Sequence, residues 1–276
     1  QFREYFLIYR YLNLIKEKAM TRFIDISATV TARAGINKGH GEPEITYVNH
    51  EESATTRAAL FGLEPTDFSH RGGMYAAVER VSIGTHDTTH MDAPYHFGPI
   101  TEGKPSKTID QIPLEWCYGD GVVLDFHHKI TGESISPREV DEALRKIDYK
   151  LKPRDIVLIR TDAYKFVSTP EYANIHPGMT RESTLWLIER GIKLMGIDAW
   201  GWDRPHKVMV EELKSGKKEQ FWEAHYLGNE REYVHLERLE NLDKIPRPFG
   251  FKVMAFPIKI ARASGSWVRA VAMIEE

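Results

Sequence analysis

The chain has 276 residues, of which 28% are charged and 42% hydrophobic, a composition typical of a globular protein. The formal net charge of −3 and the absence of a strongly basic run argue against a nucleic-acid partner. No apolar run approaches the roughly 20 residues that span a bilayer, so we expect no membrane partner. The single cysteine, Cys117, cannot form an intrachain disulfide, and this fits a cytoplasmic location.

The first 19 residues differ in composition from the rest of the chain. They are rich in aromatic, Lys and Arg side chains, whereas the segment after Met20, Thr21–Ile26, has the pattern of a first strand. We therefore expect an N-terminal extension or arm over residues 1–19 and the domain proper over residues 20–276. The chain shows no internal repeat and no low-complexity linker, which favours one compact domain.

The middle of the chain alternates helix and strand signals. Ser136, Pro137 and Glu139 form the start of a capped helix, and Thr180 can cap a second helix that stops near Gly191. Short apolar runs predict buried strands, and plain strand patterns close the chain. These strands cover residues 155–160, 192–197, 251–258 and 267–274. The pattern predicts a mixed α/β domain.

Four potential metal ligands, His86, His90, Asp92 and His96, fall within eleven positions. Imidazole and carboxylate together suit zinc, manganese or iron. A straight strand would place all four on one face but spread them over about 33 Å, too far for one metal centre. Two adjacent threonines and Pro94 disfavour a helix. We therefore expect a bent passage that gathers the four side chains.

The pattern His-x3-His-x-Asp-x-Pro-x-His-Phe from His86 to Phe97 resembles the signature of a cyclase family that includes bacterial kynurenine formamidase and isatin hydrolase. Further resemblance continues over most of the chain after Met20. It involves Asp25–Ser27, Gly196–Trp200, a region with His225 and Glu237, and Ala263–Ala272. The resemblance implies a kynurenine formamidase-like α/β fold of the swivelling β/β/α type with a mixed sheet.

Carried over by position, the family pattern makes His86, His90 and Asp92 ligands of one divalent ion. Asp92 then bridges to a second ion held by His225 and Glu237, and His96 is the general acid/base. The implied cofactor is zinc or manganese, with one or two ions per subunit. Many members have Gly-Thr or Gly-Ala before the second histidine, where this chain has Thr88-Thr89. Because a β-branched residue does not easily adopt glycine's backbone angles, we expect a differently shaped turn here.

The second ligand region leaves two histidines open. From the residues alone, His235 is the better partner of Glu237, because the two share a face of a half-buried strand. The family resemblance instead favours His225. Nearby, Trp200 and Trp202 follow a predicted buried strand, where α/β sheets often bind ligands, and they are candidate substrate-binding residues. Packing of the two tryptophans, with Asp203 and Arg204 paired at the surface, is the alternative.

The leading hypothesis is a hydrolase in which a metal-bound hydroxide opens an amide, lactam, lactone or ester bond of a small cyclic or aromatic molecule. His96 would move the proton. One alternative is a cyclase, dehydratase or isomerase that polarises a carbonyl at the same centre. A second is a non-catalytic binding module in which the metal is a structural staple. The resemblance and the aromatic arm also suggest a homo-oligomer, a dimer or tetramer.

Overall fold

A computed structural model describes residues 20–31 and 43–275, so the predicted arm, residues 1–19, lies outside the described residues. The first eight strands are β1 (Thr21–Asp25), β2 (Glu44–Val48), β3 (Val78–Ser82), β4 (His90–Asp92), β5 (Ile100–Thr101), β6 (Lys104–Pro105), β7 (Tyr118–Asp125) and β8 (Ser134–Ile135). The others are β9 (Ile156–Arg160), β10 (Gly178–Met179), β11 (Leu194–Ile197), β12 (Val234–Glu237), β13 (Phe249–Met254), β14 (Gly265–Trp267) and β15 (Val271–Glu275).

Six α-helices accompany these strands in the described part of the chain. They are α1 (His50–Phe61), α2 (Pro94–Phe97), α3 (Pro137–Lys146), α4 (Arg181–Ile188), α5 (His206–Lys214) and α6 (Glu223–Leu227). The two predicted caps are confirmed: Ser136 accepts the Glu139 amide at the start of α3, and Thr180 accepts the Ser183 amide at the start of α4. Within these ranges, none of the helices combines the length and apolarity needed to cross a bilayer.

A nine-stranded mixed sheet forms the centre of the molecule, in the order β1-β15-β13-β7-β9-β11-β12-β4-β14. Strands β7, β9, β11 and β12 run parallel, and the flanking pairs are antiparallel. The sequence-based prediction of a mixed α/β fold is thus confirmed. The apolar runs 155–160 and 192–197 occupy its middle as β9 and β11, where both faces are covered.

The predicted strand over residues 267–274 is two strands, β14 and β15, that lie seven positions apart in the sheet order. The chain between Trp267 and Val271 makes four Cα steps, which reach at most about 15 Å. Seven strand spacings in a flat sheet would require about 33 Å. The sheet must therefore curl, bringing the β14 end back towards β15.

The two faces of the sheet carry different cores. Along β9, Ile156 and Leu158 belong to one hydrophobic cluster, and Val157 and Ile159 to the other. The cluster around Val157 and Ile159 also includes apolar residues of α3 and α4, among them Val140 and Leu187. This alternation decides where β12 and β4 aim their side chains.

Candidate metal centre

One row of register partners runs across the sheet from core to site. Val157 pairs with Met195, Met195 with His235, His235 with Asp92, and Asp92 with Gly265. The first two residues of this row, Val157 and Met195, belong to the hydrophobic core, whereas the next two, His235 and Asp92, are polar. Glu237 pairs with His90 two residues along, so both strands aim their polar side chains at the same face. Met91 between them points into the opposite core.

The segment from His86 to His96 is bent, as expected. A turn over residues 85–89 leads into β4, and Pro94 then begins the short helix α2, which carries His96. Pro94 was expected to exclude a helix, but it occupies the first turn, where its missing N–H costs nothing. The bend returns His86 and His96 to the neighbourhood of Asp92, and their rings stack with centroids 4.0 Å apart.

Thr88 adopts an unusual backbone conformation in this turn. Its φ of 53° lies in the left-handed region, so the threonine adopts the conformation in which glycine is favoured. Thr89 beside it donates its hydroxyl to the Arg238 carbonyl at 2.5 Å and accepts the Ala28 amide at 2.8 Å. These bonds tie the turn to two other segments and hold the unfavourable angle in place.

We call the four buried residues Asp92, His225, His235 and Glu237 the inner cluster. Each offers a ligand atom, and all four atoms lie within 4.8 Å of one another. Asp92 and His235 come from β4 and β12, Glu237 from β12, and His225 from α6. The structure therefore brings together both histidines that the sequence left as alternatives.

We call His86, His90 and His96 the outer cluster, since they surround Asp92 from the cavity side. His86 Nδ1 lies 2.6 Å from Asp92 Oδ1, and His90 Nε2 lies 3.2 Å from the same oxygen. His96 Nε2 lies 3.7 Å from Asp92 Oδ2. His86, Asp92 and His96 form a second group whose potential ligand atoms all lie within 4.8 Å of one another. Asp92 thus belongs to both arrangements.

Neighbouring groups orient these imidazoles. His90 Nδ1 lies 2.9 Å from the Thr88 carbonyl, and His86 Nε2 lies 2.8 Å from the Ser264 hydroxyl. His86 also needs the space above Gly265, because a Cβ there would lie 2.6 Å from His86 Cε1. Gly265 is the register partner of Asp92, and because it has no side chain, the ring of His86 fits beside it.

Asp203 is a buried carboxylate that sequence reasoning missed. It accepts the backbone amides of Ala224 and His225 at 2.8 and 3.2 Å, and its Oδ2 lies 2.5 Å from His225 Nδ1. The surface pair with Arg204, which was the alternative to a substrate-binding role for this region, is absent among the ion pairs of the described residues, and Arg204 instead pairs with Glu212 at 2.6 Å. The spacing of 22 residues between Asp203 and His225 gave no signal in one sequence.

The electrostatics differ between the two histidines nearest the cavity. Burial lowers the pKa of His96 to about 4, despite the opposing charge of Asp92. Burial would also lower the pKa of His225, but the hydrogen bond with Asp203 and the nearby carboxylate of Asp92 outweigh it and raise the pKa to about 10. Without a metal, His96 is therefore neutral near pH 7 and His225 carries a proton.

A cavity of about 230 Å³ opens above Asp92 and Glu237. The outer cluster and His225 form its floor, and Trp200, Trp222, His176, Arg204 and Arg238 are among its walls. Residues 168–180 and 207–219 contribute His176 and Met209 to this wall. This volume is slightly below the range of about 300–1,000 Å³ typical of ligand pockets, so the cavity fits only a small molecule.

The two predicted substrate-binding tryptophans occupy different places. Trp200 lines the cavity and is stacked against the Arg238 guanidinium at 3.7 Å. Trp202 is fully buried, donates its indole N–H to Thr184 and packs parallel to His235. Its backbone N–H binds Glu237 Oε1 at 2.8 Å. In this structure Trp202 supports the inner cluster from behind and is not part of the cavity lining.

Comparison with known proteins gives consistent results. The sequence model of the family described as "Putative cyclase" matches residues 24–204. Kynurenine formamidase of Bacillus thuringiensis (strain Al Hakam) is 26% identical over 196 residues, 70% of this chain and 78% of that protein.

Solved structures share the fold. An isatin hydrolase bound to the product analogue thioisatinate superposes with a TM-score of 0.73 at 20% identity, covering 99% of both chains. Isatin hydrolase A from Ralstonia solanacearum gives a TM-score of 0.72 at 22% identity, covering 98% of this chain and 97% of that chain.

Proposed function

The chain belongs to the "Putative cyclase" family, and on that premise we propose that it is a metal-dependent hydrolase of a small amide, lactam, lactone or ester. One observation carries this proposal: two groups of potential metal ligands meet at Asp92 on the floor of a cavity sized for a small molecule. The hydrolase names of the sequence relatives support the same reaction class.

The residues present fit a divalent metal. Asp92 and Glu237 are two buried carboxylates within one cluster, and a divalent cation between them would neutralise both charges. Imidazole and carboxylate are the ligand types that zinc and manganese take. We propose one or two ions of zinc or manganese, held by His86, His90 and Asp92 and by Asp92, His225 and Glu237.

When bound, the metal supplies Lewis acidity, which polarises a carbonyl and acidifies water. His96 is proposed as the general acid/base. Its Nε2 faces the cavity side of Asp92, its side chain is 23% exposed, and its lowered pKa leaves it neutral and able to accept a proton near pH 7. The same nitrogen can then return the proton to the departing nitrogen or oxygen. Stacking on His86 fixes the ring for both steps.

The cavity wall suggests an aromatic or cyclic substrate. Trp200 and Trp222 present aromatic surfaces, and the Arg238 guanidinium behind Trp200 contributes positive charge. Positive charge near the reaction centre favours the carboxylate that hydrolysis of an amide or ester releases. By analogy with the names of its relatives, a formamide of an aromatic amine and a cyclic amide such as isatin are the first substrates to test.

Three further proposals concern the whole protein. The catalytic domain is residues 20–276, with residues 1–19 as an arm. The protein works in the cytoplasm as a homo-oligomer, a dimer or tetramer. Exposed apolar side chains on α1 and on the two-stranded β2–β3 sheet, including Phe61, Tyr47 and Val81, support the oligomer, because such side chains commonly mark an interface.

The test is a hydrolysis screen with purified protein loaded with Zn²⁺ or Mn²⁺. The panel contains aryl formamides, cyclic imides and lactams, lactones and simple esters, and acid release is followed by pH-stat titration. Metal-dependent release of a free acid from at least one class supports the proposal. Rearranged or cyclised product without acid release would indicate the cyclase or isomerase alternative. Full activity after dialysis against a chelator would exclude a metal-dependent mechanism.

A further inference from the structure

We infer that His235 is a fourth protein ligand, which together with Asp92, His225 and Glu237 closes a tetrahedral shell around one divalent ion beneath the cavity. The inference rests on the proposed function, because it concerns the same metal centre. It goes further because both His225 and His235, which the sequence left as alternatives, bind the same ion. It also divides the centre into a closed inner site and an open outer site.

The spacing of the inner cluster carries the argument. With metal–ligand bonds of about 2.0–2.2 Å, the ligand atoms of a tetrahedral zinc site lie about 3.3–3.6 Å apart. His235 Nε2 lies 3.0 Å from Asp92 Oδ2 and 3.2 Å from Glu237 Oε1. His225 Nε2 lies 3.6 Å from each of the same two oxygens. Four contacts among the same four atoms are therefore close to the edge lengths of one tetrahedron.

The surroundings of His235 point the same way. The ring is fully buried, and Nε2 is its one ring nitrogen with polar contacts among the described residues, since Nδ1 has no hydrogen-bond partner there. Its Nε2 meets Asp92 and Glu237. Trp202 and Phe97 hold the ring by packing, with centroids 5.6 and 5.2 Å away. A buried imidazole whose one engaged nitrogen faces two carboxylates is placed to share a cation with them.

The outer cluster lacks this regular geometry. His86 Nδ1 is at hydrogen-bond distance from Asp92, 2.6 Å, while His96 Nε2 is 3.7 Å away. The side chains of His86 and His96 are each 23% exposed, so water and substrate have access. A catalytic zinc site keeps an open position, whereas a structural site has four protein ligands. The inner ion therefore fixes Asp92 and Glu237, and substrate binds at the outer site.

Cobalt substitution tests the coordination directly. Full-length protein is stripped of metal and titrated with Co²⁺, and visible absorption and competition with a chelator report geometry and affinity. Wild type should show the intense visible bands of four-coordinate cobalt at the tightest site. His235→Gln should lose these bands and bind the first ion at least about 10-fold more weakly. His176→Gln, which alters another buried histidine of the same cavity, should retain both.

His235→Cys provides a second test that does not depend on loss of binding. A cysteine thiolate at this position would ligate the cobalt and add a sulfur-to-metal charge-transfer band in the near ultraviolet. Absence of that band in folded, cobalt-loaded protein would overturn the inference. So would unchanged affinity and visible spectrum in His235→Gln. Neither readout uses turnover, so a tight tetrahedral site in a protein that hydrolyses nothing would refute the proposed function alone.

Discussion

The inner cluster contains Asp92 and the outer cluster surrounds it, and the two draw most of their members from different kinds of structure. The inner cluster takes its ligands from the paired strands β4 and β12 and from the buried helix α6, and its members are at most slightly exposed. The outer cluster takes the buried His90 from β4 as well, but His86 comes from a turn and His96 from a four-residue helix, and these two are partly open to the cavity. Geometry is fixed by the sheet, and access is provided by the turn and short helix beside it.

The largest effect is expected where the clusters meet. Asp92→Asn removes the carboxylate that belongs to both groups of potential ligands, while it preserves the side-chain size. We expect metal content to fall at both sites and activity to drop below detection. Metal analysis by atomic emission after gel filtration and a turnover assay measure this. Asp125→Asn, at a half-exposed carboxylate remote from the cavity lining, is the control. Retention of wild-type metal content would contradict the shared role of Asp92.

Changing His96 separates proton transfer from metal binding. His96→Ala should reduce turnover by about 10²–10⁴-fold and leave metal content nearly intact, because the loss is of a general acid/base. His128→Ala, at an exposed histidine, should change neither. If metal content falls together with turnover, His96 is a ligand of the outer site. A ligand role for His96 is the alternative to test, because its potential ligand atom and those of His86 and Asp92 lie within 4.8 Å of one another.

Changing Asp203 affects the inner cluster selectively. Asp203→Asn removes the carboxylate that orients His225, and loss of such an outer partner weakens metal binding by about 10–100-fold. We expect a weaker inner site and a nearly unchanged outer site, measured by chelator competition. Glu212→Gln, which alters an ion pair of the neighbouring Arg204 without touching His225, is the matched control. Equal weakening at both sites would contradict the separation of the clusters.

His176, which is not a proposed metal ligand, contributes a pH dependence of its own. Burial lowers its pKa to about 4, whereas an unfolded histidine titrates near pH 6.5. Between these values the unfolded state binds more protons, so stability is lost as the pH falls through that interval. From pH 7 to pH 5 the loss should be about 2 kcal/mol smaller in His176→Gln than in wild type. Denaturant unfolding of metal-free protein measures it, and equal losses would refute it.

The sequence predicted the local features of the fold and the local part of the site. Ser136 and Thr180 predict the starts of their helices, because capping depends on residues three positions apart. The apolar runs in the sequence likewise predict β9 and β11. The ligand pattern from His86 to His96 is likewise contained in eleven residues. Each of these signals lies within a short stretch of neighbouring residues, so it can be read from a single sequence.

What the sequence left open depends on register and packing between distant segments. That His235 faces Asp92 follows from the pairing of β12 with β4, which joins residues 143 positions apart, and His225 reaches the same carboxylate from α6. The burial of Trp202 behind His235 and the bond from Asp203 to His225 are also consequences of packing. Thr88 is the opposite case, since three-dimensional anchoring overrides its local preference.

The short strand β4 makes folding and site formation one event. It is hydrogen-bonded to β12 on one side and β14 on the other. A slip of one residue would turn Met91 into the site and bury His90 and Asp92 in the apolar core. A molecule trapped in that register would keep most of its fold but would lack the candidate metal centre. Metal binds only the correct register, so adding it during refolding should raise the yield of active protein.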